Sequence, residues 1–355
     1  MTTSATYTSK DLLASAHKAV AWLASRQTPE GNYTGFEEPD ANGVYPDTDD
    51  LGCYYKSLYS LRVGGQSAAA GLGMTYVMKR FMDEQGDFYN SPDKRSSGSY
   101  GPVYCQLYSN AWLMRAAASM RWYGLSKKIL DFMLRYRTND GGFYAQVNPS
   151  TDVVDSNATA VGGLCCILGG KPELAPASAD FLLKMLDAQP DENRMYTRWQ
   201  NGQLLTDASE APEKEHKYWY IDLTQGKQAY WIWAWPMNFL LATYELTDDK
   251  KYFDAALGIW EKLWGGHNDA FHFVTAGKGG WGSSMFYRMT GDKKFYDACQ
   301  SQMDFIISHQ HPEGYMLDPG AEKLEDQPIR TTYDYTADFV SWLVDSAQEL
   351  GAMGK

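Results

Sequence analysis

The chain has 355 residues, with 32 Lys and Arg against 44 Asp and Glu, a formal charge of −12, 44% apolar residues and 21% charged ones. This composition folds rather than staying disordered. The acidic excess, with no basic block, excludes a nucleic-acid surface and argues against binding to anionic membranes. No apolar run reaches the roughly 18–20 residues that span a bilayer, and the first residues show no charged segment followed by an apolar one. A cytoplasmic protein without membrane insertion is therefore expected. The five cysteines (Cys53, Cys105, Cys165, Cys166 and Cys299) are odd in number and lack C-x-x-C spacing, which suits neither a disulfide framework nor a structural zinc site. Aromatics make up 14% of the chain, including 25 Tyr and 12 Trp. That level suits the wall of a ligand cavity as well as the core of a helical protein.

In chain order, the first predicted element is a helix at 10–27, with Leu12, Leu13, Ala16, Val20, Trp22 and Leu23 at helical spacing, followed by the turn TPEGNY. The same unit, an amphipathic helix followed by a polar turn and an aromatic, recurs near 66–83, 125–138, 172–187, 249–264 and 292–310. Between these units lie six segments rich in Gly, Ala, Ser and aromatics and poor in charge: 49–63, 104–122, 155–169, 227–245, 278–290 and 331–349. Such segments read as helices buried on most sides. Short connections alternate with long ones at 28–46, 86–103, 140–153, 188–226, 265–277 and 312–330. The pattern predicts an all-α fold, an (α/α)6 toroid of six inner and six outer helices, as one domain over 1–355. All six long loops then fall at the N-terminal ends of the inner helices, which places a pocket mouth on that face.

The residues opening the inner helices are the site candidates. Tyr45 precedes the cluster Asp47, Asp49 and Asp50, whose carboxylates serve either as helix caps or, crowded against a closed cavity, as a proton source. Asp155 opens the third inner helix with Asn157 beside it, as a cap or a second carboxylate. Tyr104, Cys105 and Tyr108 open the second inner helix, Tyr230 and Trp231 the fourth, and Trp281 lies near the start of the fifth. Tyr335 and Asp338 lie in the last, with Asp338 a turn below Asp334 on the same face. His267 and His272 lie in a mouth loop. No His or Cys spacing signals a metal, no G-x-S-x-G elbow is present, and no cofactor is implied.

Two resemblances follow from these residues. The stretches AVAWLASRQTPEGNY (19–33) and MDFIISHQHPEGYM (303–316) resemble the repeats of terpenoid cyclases and protein prenyltransferases, and DTDD at 47–50 resembles the acid motif of class II terpene cyclases. That resemblance implies protonation of a small apolar natural product by Asp49, tuned by Asp47 and Asp50, with Asp155 or a mouth tyrosine taking the proton away and aromatics stabilising a carbocation. Cyclisation, isomerisation or dehydration would result. The repeats LTDDKKYFDAALGIWEKL and MTGDKKFYDACQSQMDFI are similar to those of six-hairpin carbohydrate enzymes such as unsaturated glucuronyl hydrolases and sugar epimerases. That resemblance implies a sugar stacked on aromatics, with Asp50 and Asp155 as the carboxylate pair. A toroid that binds a small molecule without catalysis is the third expectation.

Overall fold

The computed structural model describes residues 6–35, 37–89, 106–145, 152–210 and 216–355. The helices in chain order are α1 (Ser9–Ser25), α2 (Ser57–Val63), α3 (Ser67–Phe81), α4 (Tyr108–Ser119), α5 (Tyr123–Met133), α6 (Ser156–Leu168), α7 (Ala175–Asp187), α8 (His216–Trp219), α9 (Trp231–Thr247), α10 (Lys250–Trp264), α11 (Gly277–Thr290), α12 (Lys293–Ser308) and α13 (Ile329–Ala352). Helices α2, α4, α6, α9, α11 and α13 form a closed inner ring, each packing on the next and α13 packing back on α2. Each outer helix covers an inner one: α3 lies on α2, α5 on α4, α7 on α6, α10 on α9 and α12 on α11. The remaining outer helix, α1, packs on α13 and so closes the outer layer across the chain ends. The predicted (α/α)6 toroid is the observed fold.

Local sequence explains the alternation. The outer helices α10 and α12 begin at Asp249 and Asp292, whose carboxylates accept from the backbone N–H groups of Lys251 and Lys294. The inner helices α9 and α11 end at left-handed residues, Asp248 (φ 58°) and Gly291 (φ 71°), which turn the chain directly into those caps. Helix α9 is buried over most of its surface and carries Pro236 in its interior without ending there.

Four of the outer helices finish in one recurring turn. Residues bridge across it in antiparallel fashion at Gln27 and Tyr33, Met82 and Phe88, Arg137 and Phe143, and Gln310 and Met316. The glycine in each, at positions 31, 86, 141 and 314, has φ between +95° and +111°. At Gly141 a Cβ would stand 2.3 Å from the Ala177 carbonyl oxygen of α7, so both the torsion and the contact between neighbouring repeats require glycine.

Two features depart from the sequence reading. The first inner helix starts at Ser57 rather than near 49, because the stretch around DTDD folds as two 3-10 turns, Pro46–Thr48 and Leu51–Cys53, with Asp49 and Asp50 between them. The long 188–226 connection holds strands too short to show a period. Labelled in chain order, these and one strand before α6 are β1 (Val154–Asp155), β2 (Arg194–Tyr196), β3 (Arg198–Gln200), β4 (Gln203–Leu204) and β5 (Tyr220–Asp222), paired antiparallel as β1-β3-β4 and β2-β5. Among the described residues, no helix is long and apolar enough to cross a membrane.

Replacing Gly141 by Ala should destabilise the protein by roughly 2–3 kcal/mol, combining an unfavourable torsion with a backbone clash. Urea denaturation checks this, and an unchanged midpoint would contradict the role given to the turn.

Candidate functional site

The N-terminal ends of five inner helices converge on a cavity of about 400 Å³. Its described lining comprises Tyr55 and Lys56 before α2, Tyr108 at the first position of α4, Trp231 at the first position of α9, Lys278 in the first turn of α11, and Asp334, Tyr335 and Asp338 on α13. The connecting segments add Lys217, Tyr218, Lys227, Gln228, Ala229, Val274 and Thr275. The mouth lies on the long-loop face, where the alternation of loop lengths puts it.

Four charged side chains form a compact network in this cavity. Asp338 receives Lys278 Nζ on both oxygens, at 3.0 and 2.8 Å, and Lys56 Nζ on Oδ1 at 3.1 Å. Lys56 also reaches Asp334 Oδ2 at 3.1 Å. The side chains of Lys278, Asp338 and Lys56 are only 4%, 6% and 8% exposed, so these charges interact with little screening by water. Burial lowers the Lys278 ammonium to about 8, against the pull of Asp338 and with a further push from Lys56. Burial alone would raise the Asp338 carboxyl, but Lys278 and Lys56 outweigh it and hold the group ionised, at about 2. Burial pushes the phenols of Tyr108 and Tyr335 upward, so both remain protonated. The arrangement offers one amine that changes protonation near neutrality, one fixed carboxylate, a second lysine and an aromatic wall.

Beneath the network lies a tryptophan cluster. Trp112, Trp235 and Trp342 meet edge to face with centroids 5.6–5.8 Å apart, and Trp281 stacks on Trp342 at 5.8 Å. Lys278 Nζ sits 4.8 Å from the Trp342 ring centre. Toward the short-loop face, the Arg115 guanidinium approaches Trp281 at 5.4 Å and Trp112 at 5.5 Å. A second, mostly apolar cavity of about 490 Å³ opens there, lined by Trp112, Trp235, Trp281, Leu164 and Met285 among others.

Of the residues named from sequence, Tyr108, Trp231, Tyr335 and Asp338 line the mouth cavity. Trp281 does not, because its position on α11 places it at the short-loop cavity. Tyr230 is buried behind the mouth, its hydroxyl donating to the Gln225 carbonyl at 2.9 Å. Asn157 is fully buried near the start of α6, outside the cavity lining, and Tyr45 leads into the first 3-10 turn. Tyr104 and Cys105 lie outside the described residues.

The four carboxylates to which sequence gives the acid/base role, Asp47, Asp49, Asp50 and Asp155, stand outside the lining. Arg80 holds both oxygens of Asp49 through Nε and Nη2. Asp50 caps the second 3-10 turn, accepting from Gly52 N–H at 2.7 Å, and lies 3.3 Å from Arg330 Nη1. Asp47 packs against Gly35. Asp155 caps α6 through Ala158 N–H at 2.7 Å and pairs with buried Arg198 at 3.5 Å. His267 bonds within its own turn to Asp269 N–H, and His272 contacts the Ser301 carbonyl; neither lines the mouth.

Sequence reading did not single out Lys56 and Lys278, which line the mouth cavity. The available signal was a lone lysine inside a segment otherwise read as buried.

No family model matches the sequence, and no curated protein does. Solved structures do. The chain is similar to a family 76 glycoside hydrolase from a bovine Bacteroides thetaiotaomicron strain, with TM-score 0.65, 12% identity, and 94% of this chain and 77% of that one covered. It is similar to a D-mannose isomerase with TM-score 0.62, 15% identity and coverage of 94% and 97%. It is also similar to the type II terpene cyclase MstE from Scytonema in complex with merosterolic acid A, with TM-score 0.56, 14% identity and coverage of 96% and 98%. At these identities the likeness establishes the α/α toroid, and both resemblances drawn from the repeats are present among the neighbours.

Replacing Asp155 by Ala should cost about 3–5 kcal/mol in chemical denaturation, since it strands the buried Arg198 charge and uncaps α6. A loss below about 1 kcal/mol would mean that the ion pair is not a structural element.

Proposed function

We propose that this toroid is an acid/base enzyme that moves a proton on a small hydroxylated carbonyl compound of the carbohydrate class. Lys278 is the group that gives and takes the proton. The observation that carries this reading is the buried Lys278–Asp338 pair at the floor of the mouth cavity. With its ammonium brought to about 8, Lys278 is about half neutral at pH 8 and about one-tenth neutral at pH 7. A neutral amine can remove a proton from the carbon next to a carbonyl, leaving an enediolate; the resulting ammonium returns that proton to the former carbonyl carbon on the same face while the hydroxyl proton passes to the other oxygen, which interconverts aldose and ketose. Asp338 stabilises that ammonium without accepting its proton. Lys56, shared between Asp334 and Asp338, supplies a positive charge toward a developing oxyanion. Tyr55, Tyr108, Tyr218, Trp231 and Tyr335 provide stacking surfaces for a sugar ring, and the protonated phenols of Tyr108 and Tyr335 can donate to its oxygens.

Aldose–ketose isomerisation fits this inventory better than glycoside hydrolysis by paired carboxyls. Hydrolysis of that kind needs one carboxyl protonated, whereas Asp338 is held ionised and Asp334 is paired with Lys56. A cyclase reading with Asp49 as acid would require that carboxylate to leave Arg80 and turn toward a substrate outside the described cavity. The polar floor of the mouth favours a hydroxylated substrate over an apolar one.

Incubation with a panel of aldoses and ketoses in D2O, followed by NMR, should show deuterium entering at carbon adjacent to the carbonyl. The rate should rise with pH through an apparent pKa near 8, because the active form is the neutral amine. Lys278→Gln, and Lys278→Arg, which keeps the charge but cannot deprotonate, should each lower the rate by about 10²–10⁴. Asp49→Asn should stay within a few-fold of wild type. Exchange that survives in both Lys278 variants, or an absence of exchange with every sugar, would refute the proposal.

A further inference from the structure

We infer that the molecule received at the mouth carries a negative charge, a carboxylate or phosphate, held at the lip by Lys227 together with Lys217. This rests on the reading of the mouth as a carbohydrate site and adds the substrate's charge. The chain as a whole is strongly acidic, yet the described lining of this cavity holds four lysines and only two aspartates. Lys56 and Lys278 are matched inside the network by Asp334 and Asp338. Lys217 and Lys227 stand exposed at the rim, and neither has an ion-pair partner among the described residues. Among the described residues that line the cavity, the surplus of positive charge therefore sits on these two rim lysines, above a floor whose lysines and aspartates match. The first turns of α4, α9 and α11 border the same space, so the positive ends of their dipoles add to the potential that an entering anion meets.

The backbone gives an independent sign. Lys227 has φ 58°, a left-handed conformation that glycine or asparagine adopts at lower cost. Asp269 fixes that conformation by accepting the Lys227 N–H on Oδ2 at 2.8 Å. The adjoining Gly226 is closed in by the same carboxylate and by His267, since a Cβ there would fall 2.7 Å from Asp269 Oδ2. A strained turn that presents a long cationic side chain to a cavity, where glycine would be the relaxed choice, fits a residue kept for what it binds. Gln228, next in the chain, is tied down by its amide to Gly226 O and Asp222 N and by its carbonyl to Thr275, which fixes the lip against the start of α11.

The test is calorimetric titration of the full chain with mannose, mannuronate and mannose 6-phosphate, and with acetate and inorganic phosphate as sugar-free anions. One charged sugar should bind about tenfold or more tighter than mannose, with the advantage shrinking at about 0.5 M salt. Preference for mannuronate would assign a carboxylate, and preference for the phosphate ester a phosphate. Lys227→Gly should weaken the charged sugar about fivefold and leave mannose unchanged. Its Tm should be equal to or above that of wild type, an outcome that a purely structural lysine would not produce together with lost affinity. Equal binding of neutral and charged sugars would overturn the inference while the carbohydrate reading stands. Binding of the simple anions without any sugar would overturn the carbohydrate reading and leave the anion site. Binding of none of the five would overturn both.

Discussion

The bridging of Lys56 and Lys278 by Asp338 is the interaction on which the site depends. Three charges with side chains under a tenth exposed are stable together only because each ammonium has a carboxylate and the carboxylate has two ammoniums. They arrive from the residue that precedes α2 and from helices α11 and α13, so the network cannot form until the ring closes. Its geometry also sets its chemistry. The same burial that would suppress an isolated lysine is offset by Asp338, which leaves Lys278 close to neutrality rather than fully charged or fully neutral.

The rest of the toroid serves to hold that geometry. The tryptophan cluster gives the network an apolar base and separates it from the short-loop cavity, with Lys278 on one side and Arg115 on the other. Arg115 repeats the device at the far end: its Nη2 meets Asp345 at 2.6 Å and its guanidinium lies 3.9 Å from the Tyr59 ring centre. Outside the ring, the glycine turns seat four outer helices against their neighbours, and a Cβ at Gly31, Gly141 or Gly314 would fall 2.3–2.4 Å from a neighbouring backbone carbonyl oxygen. The inner helices are thereby fixed in the spacing at which their N-terminal ends can meet.

The fold was legible because it repeats. Six amphipathic segments, six charge-poor ones and alternating loop lengths are local features, and together they specify both the toroid and its open face. Tyr108, Trp231, Tyr335 and Asp338 were found by position alone, as residues near the starts of inner helices. The acidic run at 47–50 lies outside the mouth cavity, and sequence alone does not separate a carboxylate that caps a turn from one that donates a proton. What separates them is distant: Arg80 for Asp49, Arg330 for Asp50, and Arg198 for Asp155. Lys56 was illegible for the same reason, since Asp334 lies 278 positions away in the chain. Lys278 and its partner Asp338 are 60 positions apart and on different helices. The short strands of the 188–226 connection are set by pairing partners rather than by any run of their own.

The central claim is that Lys278 is an amine poised near neutrality by its buried partner. NMR of protein labelled with ¹³C at lysine Cε, followed through a pH titration, tests it directly. One lysine resonance should titrate near pH 8 and vanish in Lys278→Arg. If no lysine resonance titrates near 8, or if that resonance persists in the variant, the proposed acid/base role of Lys278 is wrong.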